Sequence, residues 1–332
     1  MNLLNFQLLL GNDILTNFVD NMDVYFIMIV ALAFLAIGDL VVGVSNDAVN
    51  FLNSALGSKA ISVRKIMILA SLGVLVGSVF SSGMMEVARK GIFNPEMLLF
   101  SEIMIIFMAV MITDILLLDF FNTLGLPTST TVSIVFELLG AAVAVSLIKI
   151  SGLGSEFGDL VNYINVEKAS QIILGILLSV FIAFSVGALV QFIARTLLSY
   201  NYEQKSKWVG SVFGGVALTS ISYFILMKGI KGTSFAKESY DLLDGATISS
   251  FLETEVFMIS LVSFVLLSLI SYMLIFSFRV NIYKLIIGVG TFSLALAFAG
   301  NDLVNFIGVP IAAWQSYDCL LYTSDAADEV LG

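Results

Sequence analysis

The chain has 332 residues, 59% of them hydrophobic and 12% charged, against about 25% charged in an ordinary soluble domain, and its mean hydropathy is +1.02. Three prolines, one cysteine and no histidine exclude disulfide scaffolds, collagens, thiolate metal clusters, most zinc hydrolases, haem proteins and Ser-His-Asp catalysts. Much of the net charge of −10 gathers at the ends (Asp13, Asp20 and Asp23; Asp318, Asp325, Asp328 and Glu329), and no basic stripe with interleaved aromatics offers a nucleic-acid surface, which leaves membrane transport as the leading class.

Residues 1–23 hold no Lys or Arg and read as an extracellular amino-terminal segment; without a basic n-region they are not a cleavable signal peptide. A helix needs about 20 mostly apolar residues to cross a 30 Å hydrocarbon core. Eight windows meet this, at about 24–44, 66–88, 97–121, 125–148, 170–194, 208–227, 254–278 and 285–315. The last is too long for one simple span and carries Asn301 and Asp302 in its middle, which predicts a broken helix. The expected fold class is an all-α integral membrane protein, a polytopic bundle with inverted repeats and a re-entrant or broken helix pair. Residues 24–227 would form a first repeat with the helices that follow it, 228–253 an extracellular loop rich in polar residues and glycine, and 254–317 the start of a second repeat.

Lys59, Arg64 and Lys65 follow the first window, so the amino terminus is placed outside. Alternation then puts Arg195, Lys205, Lys207, Arg279 and Lys284 inside and the acidic loop with Glu156, Asp159 and Glu167 outside; Arg89 and Lys90 break the rule. A multi-pass protein of the plasma (inner) membrane is expected, in contact with lipid and open to homo-oligomerisation.

Residues 46–51 read Asn-Asp-Ala-Val-Asn-Phe and residues 301–306 read Asn-Asp-Leu-Val-Asn-Phe, agreeing at five of six positions. The copies lie in the first and eighth windows, so their helices run in opposite directions whether windows three and four are two spans or a re-entrant hairpin. Asn46 and Asn50, and likewise Asn301 and Asn305, stand at i and i+4 on one helix face, with Asp47 or Asp302 beside them. Carboxylate and carboxamide oxygens are hard ligands suited to Na⁺, and unwinding near each Asp would add backbone carbonyls. The alternative use of these groups is hydrogen bonding to neighbouring helices. Asp39, Glu102, Asp114 and Glu137 also lie inside apolar windows, with no Lys or Arg in those windows to pair with them; either they meet cations from solution, or they are neutral and hydrogen-bonded or sit near helix ends.

Between windows three and four lies Gly125-Leu126-Pro127-Thr128-Ser129-Thr130-Thr131-Val132-Ser133. Pro127 disfavours helix before it and suits the first turn after it, which would set four consecutive hydroxyls at a helix N-terminus. Such a terminus either binds an oxyanion through its N–H groups and hydroxyls or is an ordinary hydroxyl-rich cap. A multivalent anion near Asp47 and Asp302 would need co-bound cations to offset repulsion, which is the logic of cation-coupled anion symport.

These motifs resemble the inorganic phosphate transporter (PiT) family, marked by a duplicated Gly-Ala-Asn-Asp-Val-Ala-Asn-type signature and Pro-x-Ser-Thr-Thr turns. The matching residues are Gly43 to Asn50, Ala299 to Asn305, and Pro127 to Thr131. The resemblance implies an inverted-repeat symporter that imports phosphate with Na⁺ or H⁺ and uses no enzymatic cofactor. It carries a cation-binding role to Asn46, Asp47, Asn50, Asn301, Asp302 and Asn305, and a phosphate-binding role to Ser129, Thr130 and Thr131, with Thr128 beside them. Val132 stands where family members often carry His, and a second Ser-Thr-Thr turn does not appear. Residues 318–332 are unlike the preceding membrane sequence and resemble translated read-through, so a non-native tail on a truncated chain is expected.

A sulfate permease of the same fold is the alternative; phosphate differs in offering a hydrogen that a carboxylate such as Asp47 or Asp302 can accept. An intramembrane phosphatase built on Glu102, Asp114 and the hydroxyl turn would need a cationic phosphate clamp, and no Arg, Lys or His lies in the windows to supply it.

Overall fold

The computed structural model describes residues 22–79, 92–154, 156–198, 208–227, 236, 238–240 and 246–331. Residues 1–21 of the expected amino-terminal segment 1–23, Glu86, Arg89, Lys90, Lys205, Lys207 and much of the loop at 228–253 lie outside them. The described chain is helical, with two isolated β-bridges and no strand among the described residues. Its helices are α1 (Met22–Ser58), α2 (Val63–Val79), α3 (Phe100–Leu124), α4 (Thr130–Leu153), α5 (Leu160–Tyr163), α6 (Val166–Leu198), α7 (Trp208–Ile225), α8 (Ile248–Thr254), α9 (Val256–Phe276), α10 (Ile282–Asn301) and α11 (Leu303–Leu331).

Among the described residues seven helical stretches are long and apolar enough to cross a bilayer: α1, α3, α4, α6, α7, α9, and α10 running into α11. This is the make-up of an integral multi-pass membrane protein. The second window is represented by α2, whose 17 residues span about 26 Å; residues 80–88 of that window lie outside the described residues. The expected break in the last window is present: α10 ends at Asn301, Asp302 forms the turn and donates its N–H to the Phe298 carbonyl at 2.7 Å, and α11 begins at Leu303. The first signature behaves differently. Asn46 to Asn50 lie inside an unbroken α1, so the backbone carbonyls there stay in the helix ladder and the unwinding expected at Asp47 does not occur.

The chain divides into two compact units, one drawn from the described residues of 1–46, 85–170 and 305–332, the other from those of 47–84 and 171–304. In the first unit α1 lies on α3, with the Tyr25 and Phe100 rings edge to face at 4.8 Å, and α3 packs along α4. Gly43 has the Phe306 ring of α11 directly over it, where any Cβ would overlap ring carbons, and Phe306 is fully buried. Glu102 is paired after all. Lys149, one residue past the fourth window, reaches its Oε2 at 2.8 Å, and the same oxygen accepts the Leu99 N–H at 2.7 Å at the start of α3. The sequence expectation of an unpaired acid failed there because it stopped at the window edge, one residue short of Lys149.

In the second unit α2 lies against α10, and α7 against α9 and α10. Gly73 and Gly77, four residues apart on α2, meet the backbone carbonyls of Phe292 and Leu296, with Ala295 and Ala299 beside them. Small residues at this spacing let two membrane helices approach backbone to backbone. Gly77→Leu is therefore expected to push α2 off α10 and to destabilise the fold by roughly 1–3 kcal/mol, read as a lower melting temperature in detergent.

Candidate transport site

Helix α3 ends in a Schellman arrangement that shapes the hydroxyl turn. Gly125, at φ 67°, occupies the left-handed region, its N–H reaching the Asn122 carbonyl and the Leu126 N–H the Phe121 carbonyl, both at 3.0 Å. Leu126 to Ser129 then run without helix to α4, whose N-cap is Ser129, two residues beyond Pro127. Pro127 therefore precedes the helix and does not form its first turn. Ser129 Oγ accepts the Val132 N–H at 3.4 Å, so its hydroxyl oxygen does serve as a cap, while its side chain is exposed. Thr130 is buried at 2% exposure, and Thr128 and Thr131 are half-buried.

The turn is held from α1 by Asn46. The Asn46 Oδ1 accepts the Thr128 N–H at 2.8 Å, and its Nδ2 donates to Asn122 Oδ1 at 2.9 Å and to the Leu126 carbonyl at 3.2 Å. Asn122 Nδ2 in turn donates to the Val42 carbonyl at 2.9 Å. Backbone groups at both ends fix which way each amide faces: Thr128 offers only a donor and Val42 only an acceptor. Asn46 is 4% exposed, so these bonds are made largely out of water.

The second signature reaches the same turn. Asn305 Nδ2, in α11, donates to Thr131 Oγ1 at 2.9 Å across 174 residues of sequence. Thus one Asn from each signature copy is bonded to the Pro-Thr-Ser-Thr-Thr segment, and all of these residues belong to the first unit. In the second unit, Asp47 is 3% exposed and its Oδ1 accepts from Asn50 Nδ2 at 3.4 Å, while Asn50 is itself exposed. Asp302 is half-buried at the break between α10 and α11; Asn301 contributes the last helical residue before it.

Two residues near the turn have no role in the motif reading: Asn122, which bonds Asn46, and Ser133, the last residue of the hydroxyl-rich run. Asn122 carried a signal, being a carboxamide in the last turn of an apolar helix four residues before the turn's first backbone contact. Ser133 Oγ lies 2.7 Å from Glu137 Oε1, one turn along α4, and 2.8 Å from Asp114 Oδ1 of α3, the second a contact that sequence spacing alone does not reveal.

This integral multi-pass membrane protein thus carries a broken membrane helix, a buried Asn-Asp pair and a hydroxyl-rich helix start bonded by Asn46 and Asn305. The model of the phosphate transporter family matches residues 43–329, and the chain belongs to that family. Among curated relatives, a Pyrococcus furiosus protein is 26% identical over 273 residues, covering 81% of this chain and 61% of its own length. A Thermococcus kodakarensis protein is 25% identical over 198 residues, covering 56% of this chain and 44% of its own length. Both bear the name "Putative phosphate permease". The chain thus spans about half the length of these relatives. A solved structure titled "The sodium-dependent phosphate transporter" matches 87% of this chain and 67% of its own with a TM-score of 0.56 and 22% identity, which shows the shared fold.

Proposed function

We propose that the chain belongs to a cation-coupled symporter that carries inorganic phosphate across the plasma membrane, with its amino terminus outside. The observation that carries this reading is the double hold on the hydroxyl turn, Asn46 on Thr128 and Asn305 on Thr131. A segment with hydroxyls at the start of a 24-residue helix offers neutral donors to an oxyanion, and the bonds from Asn46 and Asn305 fix its place within the first unit. Ser129, Thr130 and Thr131, with Thr128, are assigned to the phosphate. Asp47, Asn50, Asn301, Asp302 and Asn305 are assigned to Na⁺, for which carboxylate and carboxamide oxygens are fitting ligands. Asn46, with two hydrogen bonds committed to the turn and a third to Asn122 of α3, acts chiefly as a positioning residue and lends at most its remaining oxygen lone pair.

Na⁺ is favoured over H⁺ as the ion at the signatures because two of the three groups in each are carboxamides, which take no proton. Phosphate is favoured over sulfate by the family to which the chain belongs. The test is uptake of ³²P-phosphate by the full-length protein in proteoliposomes, with and without an inward Na⁺ gradient and with sulfate as competitor. Accumulation that depends on Na⁺ and ignores sulfate is expected; equal uptake without the gradient would overturn the coupling. Replacing Ser129, Thr130 and Thr131 together by Ala is expected to raise the half-saturating phosphate concentration at least tenfold, about 1.4 kcal/mol of lost recognition. An unchanged value would remove the turn from the substrate site.

A further inference from the structure

Three acids of the first unit stand apart from both signatures. Asp39 of α1 faces Asp114 of α3, and Asp114 faces Glu137 of α4, carboxyl to carboxyl. Asp39 and Asp114 are both 0% exposed, and Ser133 at 7% lies between Asp114 and Glu137. Neither oxygen of Asp39, nor Asp114 Oδ2, nor Glu137 Oε2 meets a hydrogen-bond donor among the described residues. The other charged groups on the three helices do not serve the cluster. Glu102 and Lys149 take each other, Asp119 is exposed, and Asp23 and Asp47 stand sixteen residues before and eight after Asp39 on α1. Residues 303–317 of α11 contain no charged residue.

We propose that Asp39, Asp114 and Glu137, with Ser133, form a proton-binding site within the membrane-spanning part of the chain, separate from the Asn-Asp signatures. The count of hydrogens at Ser133 requires it. A hydroxyl has one hydrogen, yet Ser133 Oγ sits at 2.8 Å from one carboxyl oxygen and 2.7 Å from another. It donates to one of them, and the second contact is a hydrogen bond only if that carboxyl carries the proton and donates back to Oγ. The same holds between Asp39 and Asp114, two acceptors that attract only with a hydrogen between them. An uncompensated carboxylate in this apolar interior would cost several kcal/mol, and no side chain supplies the opposite charge. A metal ion is a poorer fit, because no group of three or more His, Cys, Asp or Glu among the described residues is arranged to hold one. Binding is simple protonation: water delivers H⁺, an O–H bond forms at one carboxyl, and the hydrogen is shared with its neighbour.

The site's effect on uptake rests on the proposed transport function; the site itself does not. Infrared spectra of the full-length protein in lipid nanodiscs decide it without phosphate. At neutral pH the wild type is expected to show the C=O band of protonated carboxyls, shifted in D₂O, and Asp39→Asn and Glu137→Gln are each expected to lose part of it, with the helical amide band confirming the fold. A wild type without the band, or two variants that both retain it in full, would overturn the site. In liposomes, Asp39→Asn mimics the protonated state and is expected to flatten the pH dependence of uptake; an unchanged pH profile would overturn the link to transport. A wild type that takes up no phosphate would defeat the transport reading, while the spectra still decide the proton site.

Discussion

Asp47→Asn is expected to reduce Na⁺-dependent phosphate uptake to the level of empty liposomes while leaving the protein in the membrane. The substitution keeps the shape of a side chain that is 3% exposed, and it keeps an oxygen to accept from Asn50 Nδ2. What it removes is the single formal charge of the first signature. A cation entering a site made otherwise of carboxamides depends on that charge to offset its lost hydration, and without the cation a multivalent anion loses its counter-charge. Because α1 is unbroken through residues 46–50, the backbone carbonyls there are engaged in the helix and do not substitute for the carboxylate. Asp302, at the break between α10 and α11, is half-buried where Asp47 is 3% exposed, so Asp302→Asn is expected to weaken uptake less severely. Normal Na⁺-driven uptake by Asp47→Asn would remove the first signature from the cation site.

The membrane helices were legible because their signal is additive: each window sums some twenty apolar residues, and small boundary errors do not change the sum. The break at Asn301-Asp302 was legible for a related reason, since a run of 285–315 exceeds one bilayer crossing and its polar pair marks the weakest point. The same pair in the first copy gave the opposite result. Asn46 and Asp47 sit near the middle of a 37-residue helix, and the side chain of Asn46 finds its partners on α3 and the turn, leaving nothing to unwind the backbone. Sequence spacing reads contacts along one helix; it does not read contacts across helices. For that reason the bonds from Asn46 to Asn122, from Asn305 to Thr131 and from Ser133 to Asp114 were out of reach, as was the pairing of Glu102 with Lys149. The Ser/Thr run was seen, and its reading as a cap holds at Ser129, while the bond from Asn305 to Thr131 belongs to neither reading of the run.

Asn46→Ala is expected to free the hydroxyl turn from α1 and to damage phosphate recognition although Asn46 carries no charge and is not itself assigned to the phosphate. The alanine leaves the Thr128 N–H without its acceptor and Asn122 Oδ1 and the Leu126 carbonyl without their donor. Each polar group left unpaired away from water costs on the order of 1–3 kcal/mol, and the turn can avoid that cost only by moving outward to be hydrated. Movement of the turn displaces Thr128 to Thr131, so the expected signature is a raised half-saturating phosphate concentration with the Na⁺ dependence retained. Asn46→Asp separates positioning from direct ligation of a cation. It keeps the oxygen that accepts from Thr128 but turns the donor toward Asn122 Oδ1 and the Leu126 carbonyl into a third acceptor, so as a positioning residue it fails nearly as badly as alanine. If Asn46 were instead a cation ligand first, the added carboxylate would strengthen Na⁺ binding, and a lower half-saturating Na⁺ concentration in Asn46→Asp would show it.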